Sequence, residues 1–186
     1  MKGIDRIGHL FETEKQLAFD RDFLSGWELY DTWDQVEVGR TCKAPNDYVV
    51  REEDLVYYNR ALGETDPLLV DPQYAAQHSP TGHVMAHPCF LVSLAFYCLG
   101  PKGDGSWLRT PAARNPFQDI ELHEPIYVGE RVTLTFTPVE RFIRRGKHYI
   151  TNLNEFRGSG DVLKAKWWAT LILPPTREEI RRFVTA

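Results

Sequence analysis

Cysteine, excess charge and long apolar runs are all scarce in this chain, and each scarcity excludes a class of protein. Cys42, Cys89 and Cys98 are the three cysteines, widely spaced and without a Cys-x-x-Cys pair. That argues against a disulfide framework and a zinc site, and points to a reducing cytoplasm. Cys89 and Cys98 fall in an apolar segment, so both are expected to be buried, inert thiols. The formal net charge is −4, which offers no basic surface to neutralise phosphates, and no nucleic-acid partner is expected. The longest nearly apolar run, Pro88 to Leu99, falls far short of the roughly 20 residues that span a bilayer. The first residues, MKGIDRIGHLFETEKQ, carry charge at every turn and lack the apolar stretch of a secretory signal. Internal repeats and low-complexity tracts are absent.

What is present fits one domain. The chain has 186 residues, enough to bury a substantial core. Hydrophobic residues make up 42% and charged residues 26%, ordinary globular values that exclude disorder. Residues 1–35 read as an N-terminal extension across the main body, with weak helical spacing of Phe11, Leu17, Phe19 and Leu24. Trp27, Tyr30 and Trp33 follow at intervals of three, as packing residues. A short strand is expected near Lys43 to Val50. A helix then opens with acidic residues in its first turn, where they complement the dipole. Leu55, Tyr58, Ala61 and Leu62 form its apolar face, and Gly63 ends it. A short helical turn is expected from Pro72 to Gln77.

The segment His83 to Leu99 is apolar nearly all round and predicts a long helix surrounded by protein. After a loop, strands dominate. Val132, Leu134 and Phe136 alternate with Arg131, Thr133, Thr135 and Thr137; Leu163, Ala165, Trp167, Ala169, Leu171 and Leu173 alternate with Lys164, Lys166 and Thr170. Arg144 to Lys147 and Arg157 to Asp161 read as meander turns. Thr176 with Glu179 forms a capping box, which predicts a C-terminal helix within residues 176–186. An antiparallel sheet must cover its apolar face, and the apolar helix is the obvious cover. The expected class is α+β, a sheet wrapped around a central helix, over residues 36–175.

The stretch YNRALGETDPLLVDPQYAAQHSPTGHVMAHPCF, from Tyr58 to Phe90, resembles the core signature of MaoC-like dehydratases and R-specific enoyl-CoA hydratases. That signature is a helix ending in Gly-Asp-x-Asn-Pro-x-His, an aspartate two residues on, and an Ala-His-Gly-like start to the central helix. IELHEPIYVGERVTLTFTPVE, from Ile120 to Glu140, resembles the family's second half, and the likeness spans roughly residues 36 to 173. It implies the hot-dog fold and the reversible addition of water to an enoyl thioester. That chemistry needs a carboxylate and an imidazole around one water, and a backbone N–H at the thioester carbonyl.

Carried over residue by residue, the resemblance puts the catalytic aspartate at Glu64 and the asparagine at Asp66. The catalytic histidine falls on Leu69, which cannot move a proton, and the glycine at the helix start falls on Pro88, which has no N–H. Candidate catalytic residues are therefore Glu64, Asp66 and His83, with His78 as another possible source of imidazole. His87, Pro88 and Cys89 are candidate substrate-binding residues, with Ala44 to Val50 and the 100–118 loop as further pocket walls. No metal and no cofactor is implied beyond coenzyme A or acyl carrier protein as substrate carrier. The basic hairpin Glu140 to His148 could meet a coenzyme A phosphate or serve as a solvated turn that protects a sheet edge. Trp167 is expected in the core, and Trp168 on the opposite face of its strand.

The resemblance implies a degenerate half that pairs with a catalytic hot-dog subunit and lends it an acyl-binding surface. The alternatives are a self-sufficient homodimeric hydratase using Glu64 and a relocated histidine, a non-enzymatic acyl-thioester binder, and a hot-dog thioesterase.

Overall fold

The computed structural model describes residues 26–99 and 104–185. The helical spacing of Phe11 to Leu24 lies outside the described residues. In chain order the elements are β1 (Cys42–Lys43), β2 (Tyr48–Val49), α1 (Glu52–Ala61), α2 (Pro67–Val70), α3 (Pro72–His78) and α4 (Phe90–Cys98). They are followed by β3 (Arg114–Leu122), β4 (Arg131–Arg144), β5 (Lys147–Arg157), β6 (Leu163–Ile172) and α5 (Arg177–Thr185). The expected strand near Lys43 to Val50 is thus two short strands, both paired with β4.

The strands form one antiparallel sheet in the order β1-β4-β5-β6-β3, with β2 also on β4. The alternation read in β4 is observed: Val132, Leu134 and Phe136 are buried. Arg145 and Gly146, both at positive φ, make the two-residue turn into β5, whose backbone twist matches that of the flanking strands. Inner-face residues of β4, β5 and β6, including Phe136, Ile150, Phe156 and Trp167, join Phe90, Leu91, Leu94 and Ala95 of α4 in one core.

The central helix is shorter than expected. Only Phe90–Cys98 is helical, and the chain before it is non-helical, with Met85 bridged to Tyr127. Pro88 explains the boundary, since the residue before a proline is pushed away from helical angles. The helix is not wholly enclosed either, because Phe96 is exposed. Cys98 is buried, but Cys89 is exposed at the helix start, contrary to the expected buried thiol.

Two further expectations are corrected. In α1 the buried positions are Asp54, Leu55 and Asn59, whereas Ala61 and Leu62 are exposed. The polar pair is accommodated because Asp54 accepts from the Tyr48 hydroxyl at 2.6 Å and Asn59 has three backbone partners, described below. In β6, Lys164 is buried rather than facing water. The register of β6 against β5 shifts between Phe156 and Arg157, which places Lys164 and Ala165 both inside.

Residues before β1 are held by hydrogen bonds to residues far away in the chain. Trp33 donates its indole N–H to the Tyr149 carbonyl at 2.8 Å, and Arg177 of α5 reaches the carbonyls of Glu28 and Tyr30. Gly105, at φ +82°, caps the turn that carries Trp107, and a Cβ there would come within 2.8 Å of Phe136 and Leu99. Gly105→Ala is therefore expected to lower stability by roughly 2–4 kcal/mol through strain and overpacking, read as a fall in thermal midpoint. A midpoint unchanged within a degree would contradict this packing.

Candidate functional site

The site is built by three short segments that meet beside the sheet. The first is the end of α1. Gly63 takes φ +80°, and the Glu64 N–H returns to the Asn59 carbonyl at 3.1 Å, a glycine-terminated helix end that turns Glu64 out of the helix. The second segment carries two Asp-Pro pairs. Asp66 Oδ1 accepts from the Leu68 N–H at 2.9 Å, and Asp71 Oδ1 accepts from Gln73 and Tyr74. Each aspartate caps a helix whose first residue is proline, at Pro67 and Pro72, where the missing N–H costs nothing. The third segment is Met85 to Cys89.

Asn59 ties these segments together. Its Nδ2 donates to the Leu69 carbonyl at 2.7 Å and the Met85 carbonyl at 3.1 Å, while its Oδ1 accepts from the His87 N–H at 3.3 Å. The side chain is fully buried, so three backbone groups depend on one amide. Sequence reasoning missed Asn59. The available signal was a polar residue one position after Tyr58, within the spacing of an apolar helical face.

Next to this clamp opens a cleft of about 440 Å³. Its walls are Asp66, Leu68 and Leu69, then Met85 to Pro88 with Leu91, and opposite them Leu122 to Ile126 with Lys164 and Ala165. The size falls within the range of small-molecule sites. Ala44 to Val50 and the described part of the 100–118 loop do not line it. Ala44, Tyr48 and Val50 are instead core residues, and residues 108–114 border a separate cleft with Phe96 and Phe183.

The structure brings Glu64 to His87, with Oε1 and Nε2 3.3 Å apart. The Cys89 N–H donates to His87 Nδ1 at 3.1 Å, so a neutral imidazole carries its proton on Nε2, facing the carboxylate. Both side chains are partly exposed, at 22% for His87 and 31% for Glu64. The Tyr58 ring lies near His87, and burial pushes its phenol pKa up.

The other histidines sit elsewhere. His83 faces Glu52 at 3.6 Å, and His78 stacks on Tyr74 with Nδ1 at the Tyr74 carbonyl. Leu69 and Pro88 line the cleft, and Cys89 precedes the first turn of α4 with its N–H directed to His87. Thus Pro88 has no N–H to offer an oxyanion and the next residue's N–H is occupied. Among the described residues, no group of three or more His, Cys, Asp or Glu is placed to hold a metal ion, and no helix is long and apolar enough to cross a membrane. In the basic hairpin, Arg141 donates to the carbonyls of Trp33, Asp34 and Val36 and lies over the Trp33 ring. Its role is to hold the preceding segment.

The profile of the family described as FAS1-like, dehydratase domain region, matches residues 37–156. The chain belongs to that family. A UPF0336 protein of Streptomyces avermitilis is 28% identical over 106 residues, covering 56% of this chain and 70% of that protein. The R-hydratase PhaJ1 of Pseudomonas aeruginosa superposes with a TM-score of 0.61 at 17% identity, covering 78% of this chain and 86% of that one. A C-terminally truncated HadBC (3R-hydroxyacyl-ACP dehydratase) complex from Mycobacterium tuberculosis gives 0.62 at 18% identity, covering 73% and 96%. The fold is thus the α+β hot-dog fold of the MaoC-like dehydratases and R-hydratases.

Proposed function

We propose that this chain is the acyl-binding half of an enoyl-thioester hydratase or dehydratase, and that a second hot-dog subunit supplies the aspartate, the histidine and the carbonyl-binding glycine. The observation that carries this reading is the start of α4. Pro88 lacks an N–H, the Cys89 N–H is held by His87 Nδ1, and Leu69 lines the cleft wall where the resemblance requires an imidazole. A site whose motif positions lack the backbone oxyanion donor and the imidazole retains a shaped, largely apolar cleft, which is what an acyl chain needs. The HadBC dehydratase of the same fold is a complex by its name, which fits a dehydratase that works as an assembly.

A second reading rests on the Glu64–His87 contact. A carboxylate and an imidazole in direct contact at 3.3 Å could together bind one water beside them, as base and acid, in a self-sufficient homodimer with His87 as the relocated histidine. The two readings separate in one assay. Loss of enoyl-CoA absorbance is followed for short and long substrates, with the purified chain alone and then with a hot-dog partner bearing the intact motif. The expected result is turnover only in the mixture, with the long substrate gaining most. Full activity of the lone chain, abolished by Glu64→Ala, would overturn the divided site in favour of the dyad. Binding without turnover in both conditions would indicate a binder, and release of free coenzyme A a thioesterase.

A further inference from the structure

Opposite Leu69 the cleft wall contains a group that an apolar acyl site does not require. Lys164 lines the cleft, and its side chain is only 7% exposed. Its ammonium lies 2.8 Å from Glu130 Oε1, itself 10% exposed, and donates to the Pro125 carbonyl at 2.9 Å. The Tyr127 ring centroid lies 5.3 Å away. Glu130 is held in turn by the N–H groups of Tyr127 and Ser159. Gly158 makes room for the pair, since a Cβ there would overlap the Glu130 carboxylate and the Lys164 stem.

An ammonium has three N–H donors, and two oxygen acceptors account for two of them. The ring face is a weaker acceptor than an oxygen. A plain hydrocarbon chain in the cleft would strip water from the remaining donor and return nothing, which is unfavourable for a buried charge. A neutral oxygen on the ligand would satisfy it. An anionic group suits the site less well, because Glu130 already neutralises Lys164, and Asp66 and Glu124 also line the cleft.

We infer that Lys164 is a specificity residue that donates to a neutral oxygen of the bound acyl thioester, so that the cleft selects an oxygen-bearing ligand over its hydrocarbon match. This rests on the acyl-binding reading above. The oxygen is either the thioester carbonyl, whose backbone donor is missing at Pro88, or a hydroxyl carried along the chain.

The test compares binding of matched ligands. Decanoyl-CoA against the thioether S-decyl-CoA reports the carbonyl, and hydroxydecanoyl-CoA isomers against decanoyl-CoA report the chain. For the wild-type chain at least one pair is expected to differ by about 10-fold or more in favour of the oxygen, because unpaired polar groups penalise the ligand that lacks it. The double variant Glu130→Gln/Lys164→Met removes both charges and the ammonium donor while keeping the length of the side chain, and leaves no unpaired buried ion. It is expected to bind both members of that pair within about twofold of each other. A wild-type chain without preference, or a folded double variant that retains it, overturns the inference and leaves the acyl-binding reading standing. A wild-type chain that binds none of the thioesters, alone or with a partner, overturns both. If the variant does not fold, the Lys164 ammonium resonance of nitrogen-labelled wild-type protein decides. It must move with the oxygen-bearing ligand and not with its match.

Discussion

Leu69→His combined with Pro88→Gly is expected to raise the hydratase activity of the lone chain, with kcat/KM at least about 100-fold above that of the natural sequence. Positioned acid–base groups contribute typically 10²–10⁴-fold, and a single oxyanion donor roughly 10²–10³-fold. The two gains need not multiply, because residues that act as a unit are non-additive. The backbone is already in place for the change. The Leu69 carbonyl is anchored by Asn59 at 2.7 Å, so an imidazole introduced there enters the cleft from the position that Leu69 occupies. Glycine at residue 88 restores an N–H at the start of α4, where the dipole favours negative charge. Either substitution alone should give much less. Enoyl-CoA loss measured on a folded double variant checks this, and activity no higher than wild type would show that Leu69 and Pro88 do not limit the site.

Asn59→Leu is expected to produce the largest stability loss among single changes at the site. The substitution preserves approximate volume but leaves the carbonyls of Leu69 and Met85 and the N–H of His87 without their partner. Leaving a buried polar group unsatisfied costs roughly 1–3 kcal/mol. Three such groups, partly relieved by water from the neighbouring cleft, imply a loss of about 3–5 kcal/mol. For a protein of this length that lowers the thermal midpoint by roughly 10 °C. Acyl-thioester binding should weaken with it, because the two segments of one cleft wall, Leu69 and Met85 to His87, lose their common anchor. A midpoint within about two degrees of wild type would show that the clamp contributes little.

Some of this organisation is legible before folding. Gly63, the helical turn from Pro72 and the alternation in β4 are local signals, and each is observed where the sequence places it, whereas the helix Pro67–Val70 is not among the sequence expectations. Thr176 also caps α5, through the Glu179 N–H at 3.3 Å. Such features depend on backbone angles and near neighbours, so a short window of sequence contains them. The central helix is shorter than its apolar segment implies, because apolarity between His83 and Pro88 carries no helical signal of its own and the proline marks the boundary. Strict alternation assigns Lys164 to solvent, but an extra residue in β6 at that point, where Phe156 pairs Ala165 and Arg157 pairs Leu163, overrides it.

The sequence alone determined the α+β hot-dog class and the motif at Gly63 to Asp71. It also determined that Leu69 and Pro88 cannot supply a proton or an N–H, since those are properties of the side chain and the imino acid themselves. Only the tertiary structure decided which imidazole meets Glu64, that Asn59 joins two segments of one cleft wall, and that Lys164, paired with a buried Glu130, lines the cleft. Those are contacts between residues 20 or more positions apart in the chain or on separate strands. They exist because packing brings those segments together, and no local spacing encodes them.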